Sequence, residues 1–270
     1  MRRKRSKSVI DRDNETLVHI RNVKSEHPFW GYRRVWAYLR FRQGINVSRN
    51  RIARIMSEND LMVKKNHKLK ATRTKTRSKP QASLPNQYWG MDMTKILLGS
   101  YGWIYLHVVL DWYTKEIVGF NVSWRSRTSD WLDALEKAVN KRFPEGTRKN
   151  EHMLNLITDN GCQPTSQAFM RNCAVLNVRQ IFTSWCNPKG NADTERVIRT
   201  LKEDLVWTRD WDNPFEFEIA LNRWIDNYNS DFPHQSLDYL TPNQKFENFF
   251  GTKQNLLNLK KPNSINFSLP

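Results

Sequence analysis

The chain has 270 residues, 44 Lys+Arg against 27 Asp+Glu, a formal net charge of +17 and 12% aromatic residues. That composition is globular rather than disordered, sized for one large domain or two small ones, and its charge points to a polyanionic partner. It excludes a membrane protein and a disulfide scaffold: the longest uncharged run, Ile96 to Leu110, is 15 residues broken by glycines, no apolar signal segment opens the chain, and three cysteines without a CxxC pair fit a reducing, cytoplasmic compartment.

The basic excess sits at the start. Residues 1–80 hold 23 Lys+Arg and 6 Asp+Glu, whereas residues 81–270 hold 21 of each. Residues 1–63 read as a basic arm followed by two short helices. Val35, Tyr38 and Leu39 recur at helical spacing, Gln43-Gly44 breaks the pattern, Ser48 is a good N-cap, and Ile52, Ile55 and Met56 form a second stripe. Two helices joined by a glycine-containing turn form a helix-turn-helix pattern. Arg49, Asn50, Arg51 and Arg54 fall off the apolar stripe, where a recognition helix meets bases and phosphates. The plainer alternative is a two-helix cap with a solvated basic face. Residues 64–86 read as a linker. Its stretch Lys64–Lys79, opening with Lys64 and Lys65, has eight basic residues and no acid. Such a run is either a charged tether or a segment that tracks phosphates on double-stranded DNA, and its position beside a DNA reader favours the second.

The body follows. Tyr88–Leu98, Trp103–Leu110 and Glu116–Val122 are β-prone runs with short connections, an antiparallel meander. Thr128 is placed to cap a helix over Ser129–Arg142. Met153–Thr158 reads as a buried strand, Pro164–Leu176 as a helix, Val178–Phe182 as a strand, and Ala192–Val206 and Pro214–Tyr228 as helices. The order βββαβαβαα predicts an α/β fold: one mixed sheet with helices on its faces.

Three acids stand in unusual places. Asp92 lies inside the apolar strand WGMDMTKILL, Asp159 ends LNLIT before Asn160-Gly161, and Glu195 lies in ADTERVIRTLKEDL after the loop NPKGN. Taken singly, each reads most simply as a satisfied strand acid, a turn residue and a solvated helix residue. Together they suit phosphoryl transfer on a nucleic acid, which calls for two divalent ions held by carboxylate oxygens. There are 66 residues between Asp92 and Asp159 and 35 between Asp159 and Glu195.

That 35-residue gap resembles the DD(35)E spacing of retroviral-integrase-like transposases, and the motifs around it are similar too. WGMDMT, TDNG and NPKGNADTERVIRTLK resemble the three acid blocks, YNSDFPHQSLDYLTP resembles the tail of insertion-sequence transposases, and GYRR with the RIARIM run resembles the helix-turn-helix ahead of their core. Two features depart from the pattern: Phe232 stands where the family usually carries Arg, and His19 and His27 have no cysteines to complete a zinc domain.

The resemblance implies a ribonuclease-H-like catalytic core over residues 87–250 with a C-terminal tail over 251–270. Asp92, Asp159 and Glu195 would bind two Mg²⁺, with Mn²⁺ as surrogate, and Lys202 and Arg199 would hold DNA phosphate. It further implies cleavage and strand transfer at the terminal inverted repeats of a mobile element, assembly as a homo-oligomer on DNA, and a partner or fusion from an upstream frame. The competing readings are a DNA-binding assembly or repressor subunit with an inactive core, or a ribonuclease H or junction nuclease. Among rival residues, Asp111 is expected to be structural, Asp193 to point away from Glu195, and His234 to pack. Trp185 and Asn187 are expected in a DNA-touching loop.

Overall fold

A computed structural model describes residues 6–63, 80–150, 152–183 and 190–259, with residues 252–259 described as backbone only. The predicted linker stretch with Lys64 and Lys65, and the loop residues Trp185 and Asn187, lie outside the described residues.

Three helices open the chain: α1 (Lys7–Glu26), α2 (Tyr32–Phe41) and α3 (Arg49–Glu58). The turn between α2 and α3 lies where Gln43-Gly44 places it, with Gly44 at φ 68°, a conformation glycine adopts without strain. Ser48 caps α3 by accepting from the Arg51 N–H. The expected basic arm is instead largely α1, which buries Asp13, Thr16, Ile20 and Val23 along one stripe. Asp13 is tolerated there because Arg51 and Arg54 of α3 both reach it, each at 2.8 Å. Burial raises the Asp13 carboxyl, but the hydrogen bonds and charges of the two guanidiniums outweigh it and hold the group below its ordinary range.

The body is one five-stranded sheet: β1 (Tyr88–Leu98), β2 (Gly102–Asp111), β3 (Ile117–Ser123), β4 (Leu154–Thr158) and β5 (Val178–Phe182), in the order β3-β2-β1-β4-β5. The first three run antiparallel as a meander, and β4 and β5 join parallel to β1. This is the mixed α/β sheet expected from the order of elements, in the ribonuclease-H-like arrangement that the resemblance implies. Helices α4 (Thr128–Arg142) and α5 (Gln167–Val175) cover one face through Trp89, Met91, Val109, Leu154 and Leu156. The other face, with Ile96, Leu106, Val108 and Ile157, meets α6 (Ala192–Asp204) and α7 (Pro214–Ser230). The period-2 alternation of β1 therefore sorts odd residues to α4 and α5 and even ones to α6.

Some boundaries differ from expectation. The N-cap position of α4 is Arg127, whose N–H donates to the Asp130 carboxylate at 2.7 Å, so Thr128 is the first helical residue rather than the cap. A last helix, α8 (Pro242–Leu259), crosses the expected boundary between core and tail at 250–251. Among the described residues, no helix is long and apolar enough to cross a membrane.

The three-helix module packs onto the body and shares its larger apolar cluster. Trp30 is the pin. It stacks on His27 at 3.8 Å, meets Phe232 edge-on at 5.3 Å, and its indole N–H donates to Asp204 at the end of α6 at 3.1 Å. Arg34 lies over the Phe232 ring at 4.3 Å, and Arg42 pairs with Asp231 at 2.6 Å.

Candidate active site

The site is assembled by register and by one glycine. In the parallel pair, Gly90 is opposite Ile157, so two residues further on, Asp92 of β1 and Asp159 just past β4 extend the same alignment on the α6 face. Gly90 lets α6 come close: a Cβ there would collide with the Thr194 hydroxyl, the Trp112 indole and the Asn191 side-chain oxygen, the last at 2.6 Å. Asn191 also donates to the Met91 carbonyl at 3.0 Å and fixes the first turn of α6 against β1. Glu195 lies in that first turn, its own N–H bonded to the Asn191 carbonyl.

Asp92 is half-buried, and Asp159 and Glu195 are exposed. The Asp92 carboxyl is pushed up to about 6, chiefly by burial, with the charges of Asp159 and Glu195 adding to the rise. The Met93 N–H, 2.8 Å from Asp92, and the charge of Lys202 act in the opposite direction. Three carboxylates thus share one patch of field, and a cation there would relieve their repulsion. Asp159 is turned by its acceptance of the Gly161 N–H at 3.1 Å, and Asn160 ties the loop to β5 through the Thr183 carbonyl at 2.7 Å. Among the described residues no group of three His, Cys, Asp or Glu side chains is arranged to hold a metal ion. The donor chemistry itself, carboxylate oxygens alone with two of the three groups open to solvent, suits a hard divalent cation.

The rival acids have other work. Asp111 is fully buried and accepts from the N–H groups of Asn86, Tyr113 and Thr114 at 2.6, 2.7 and 3.0 Å. It shapes the turn before β3. Asp193 pairs with Lys115 at 2.8 Å, off the Glu195 side of the helix. His234 packs against Tyr228 and Phe232, and burial first, then the charges of Arg34 and Lys115, push its imidazole down to about 3.

The basic candidates divide. Lys202 is half-buried two turns along α6 from Glu195, and Arg199 is exposed and bonded to Glu203 at 2.8 Å. Arg49 and Asn50 are exposed at the start of α3. Arg51 and Arg54 are instead turned to Asp13, and Arg54 also reaches Glu58 at 3.0 Å. What the sequence reading missed is Gly90 and its three neighbours; a lone glycine inside a β-prone run and the small and polar residues at 190–194 were the available signals.

Two models described as "Integrase core domain" match residues 82–188 and 176–242, and an "HTH-like domain" model matches residues 11–68. The chain is 30% identical over 229 residues to the transposase for insertion sequence element IS629 of Shigella sonnei, covering 81% of this chain and 74% of that protein. It is 24% identical over 237 residues to transposase InsD for insertion element IS2D of Escherichia coli (strain K12), covering 86% and 78%. Among solved structures, the catalytic domain of Mos1 mariner transposase aligns at 15% identity and a TM-score of 0.47, over 54% of this chain and 73% of that one.

Proposed function

Because the chain belongs to the insertion-sequence transposases with an integrase core domain, we propose that it cuts DNA at the ends of a mobile element and joins them to target DNA. The observation that carries this reading is the shared field at Asp92, raised by burial and by Asp159 and Glu195 across 102 intervening residues of chain order. Asp92, Asp159 and Glu195 are the residues that would hold divalent cations, Mg²⁺ at two per site with Mn²⁺ as surrogate. Such ions, when bound, supply Lewis-acid polarisation of phosphoryl oxygens and an activated oxygen nucleophile.

The rest of the work falls to this chain's own groups. Lys202 holds a phosphate beside the acids, and Arg199 extends that grip along the exposed side of α6. Arg49 and Asn50 of α3 meet the terminal repeats, with the linker from Lys64 and Lys65 onward tracking phosphates. The first reaction is hydrolysis of one phosphodiester at the element end, which leaves a 3′-hydroxyl. In the second, that hydroxyl attacks a target phosphodiester, one P–O bond forming as another breaks. No covalent link to the protein is required. Assembly on paired DNA ends, alone or with an upstream-frame partner, belongs to the same reading.

Strand-transfer assays with the full chain test it. Asp159→Asn and Glu195→Gln are each expected to lower strand cleavage and transfer by at least about a thousandfold, the scale on which an ion's charge stabilisation counts, with duplex binding retained. Activity that survives either change overturns the assignment.

A further inference from the structure

A cleft of about 860 Å³ opens between the β1–β2 turn and the segment that follows α6. Its walls include Lys95 and Trp103 from the hairpin, Lys202 from α6, and Trp207, Arg209 and Trp211 from the segment beyond it. Gly99 makes the enclosure possible, because a Cβ there would run into the Asp212 carboxylate and approach the Trp211 carbonyl at 3.3 Å. Two of the indoles are conspicuously wet: Trp103 is 54% exposed and Trp207 58%. Large aromatic faces left open beside cations are a recurring arrangement for stacking bases.

The cleft adjoins the candidate active site by chain geometry. Lys202 is two turns from Glu195 on α6, and the cleft's Lys95–Leu97 wall continues the strand that bears Asp92, with the Lys95 ammonium on the other sheet face, 5.5 Å from the Tyr105 ring. We propose that this cleft receives an unpaired nucleotide of single-stranded DNA next to the reacting phosphodiester, with its base stacked against the Trp103 and Trp207 indoles and its phosphate held by Lys202. The proposal rests on the reading of the neighbouring acids as a DNA-cutting site.

Three features select an unpaired base over a duplex. Duplex DNA hides its base faces, so exposed indoles gain nothing from it except at an unstacked end. The lining also includes Asp210 and Asp212. These repel a phosphate backbone laid along the whole cleft, yet they accept hydrogen bonds from exocyclic amines of a base. Arg209 lines the cleft with its guanidinium over Trp211 at 3.9 Å and paired with Glu216 at 2.9 Å. It serves as wall. The volume lies within the roughly 300–1,000 Å³ of sites for small ligands and accommodates a nucleotide.

Fluorescence anisotropy with the full chain tests this, using a labelled duplex that ends either blunt or in a short single-stranded overhang. The parent protein is expected to bind the overhang duplex more tightly. Trp103→Ala and Trp207→Ala should each weaken overhang binding by roughly 5- to 100-fold, the range for one lost base stack, while blunt-duplex binding changes less than about twofold. Trp207→Tyr, which keeps a ring, should retain most of the preference. Equal weakening on both duplexes, or no change on either, overturns the proposal. So does an altered sedimentation mass with DNA binding intact, which would make the cleft a contact between copies. Failure of the parent to bind either duplex would count against the underlying reading instead.

Discussion

Gly90 shows how a site of charged residues depends on a residue with no side chain. Its missing Cβ is the space into which Thr194, Trp112 and Asn191 pack, and that contact sets the start of α6 and hence Glu195 against β1. Gly90→Ala is expected to cost about 1–3 kcal/mol through overpacking, read as a lowered melting temperature, and to reduce strand cleavage more than duplex binding. Unchanged cleavage in a folded Gly90→Ala protein would show that α6 need not sit this close. Asp111 is the converse case. Two acids on neighbouring strands looked alike in the sequence, but Asp111 spends its lone pairs on three backbone N–H groups whereas Asp92 accepts one and faces two other acids. Asp111→Asn keeps the shape but replaces an acceptor by a donor facing N–H groups. It should destabilise the fold by about 1–3 kcal/mol, seen as a loss in urea midpoint, with no selective loss of chemistry beyond the unfolded fraction.

At the level of elements, legibility followed how apolar each stripe is. β1 and β5 occupy the expected residues: alternation around Trp89, Met91 and Met93 marks β1, and the short run with Val178 and Ile181 marks β5. Helix α1 was not legible as a helix because its buried stripe begins with Asp13 and Thr16. The pattern makes sense only once Arg51 and Arg54, 38 and 41 residues away, are known to meet it. The start of α8 carried a readable signal, a Thr-Pro-x-Gln capping box in which the Gln244 N–H donates to the Thr241 hydroxyl at 3.2 Å and the Thr241 N–H donates to Gln244 at 3.0 Å. In the sequence the same residues also close the YNSDFPHQSLDYLTP tail motif. The three acids stand out by their settings and spacing, but the β1–β4 register that aligns Asp92 with Asp159 is held in no local pattern. The link between α1 and α2 carries a titratable group, His27, stacked on Trp30. Burial first, and then the charge of Arg34, push the His27 imidazole down from 6.5 to about 4. The unfolded chain therefore binds the extra proton between those values, so this contribution is complete above pH 6.5 and is lost as pH falls toward 4. His27→Phe keeps a ring on Trp30 and removes the titration. Its melting temperature should drop less between pH 7 and pH 5 than that of the parent, and an equal drop would remove His27 from the account.

For the whole molecule, the charge distribution and the packing divide the N-terminal third differently. By charge, residues 1–80 form one basic unit that carries the entire excess of +17. By packing, α1–α3 share an apolar cluster with β1, β2, α6 and α7, and Trp30 reaches Asp204 on the helix that bears Glu195. Deleting residues 1–80 to test their electrostatic grip would therefore also uncover Phe232 and Tyr228 and leave Asp204 without its donor. Trp30→Phe isolates that part, and is expected to cost about 1–3 kcal/mol by stranding a buried carboxylate. The clean test of the charge is in the stretch 64–79, whose eight Lys and Arg carry no apolar partner pattern. Changing them to Gln should leave the melting temperature unaltered while the slope of log binding constant against log salt flattens by about 0.9 for each phosphate contact removed. A duplex-binding titration from low to moderate salt reads this directly. A slope equal to that of the parent would mean that the excess charge solubilises the tether, and that the grip on DNA comes from α3 and the body alone.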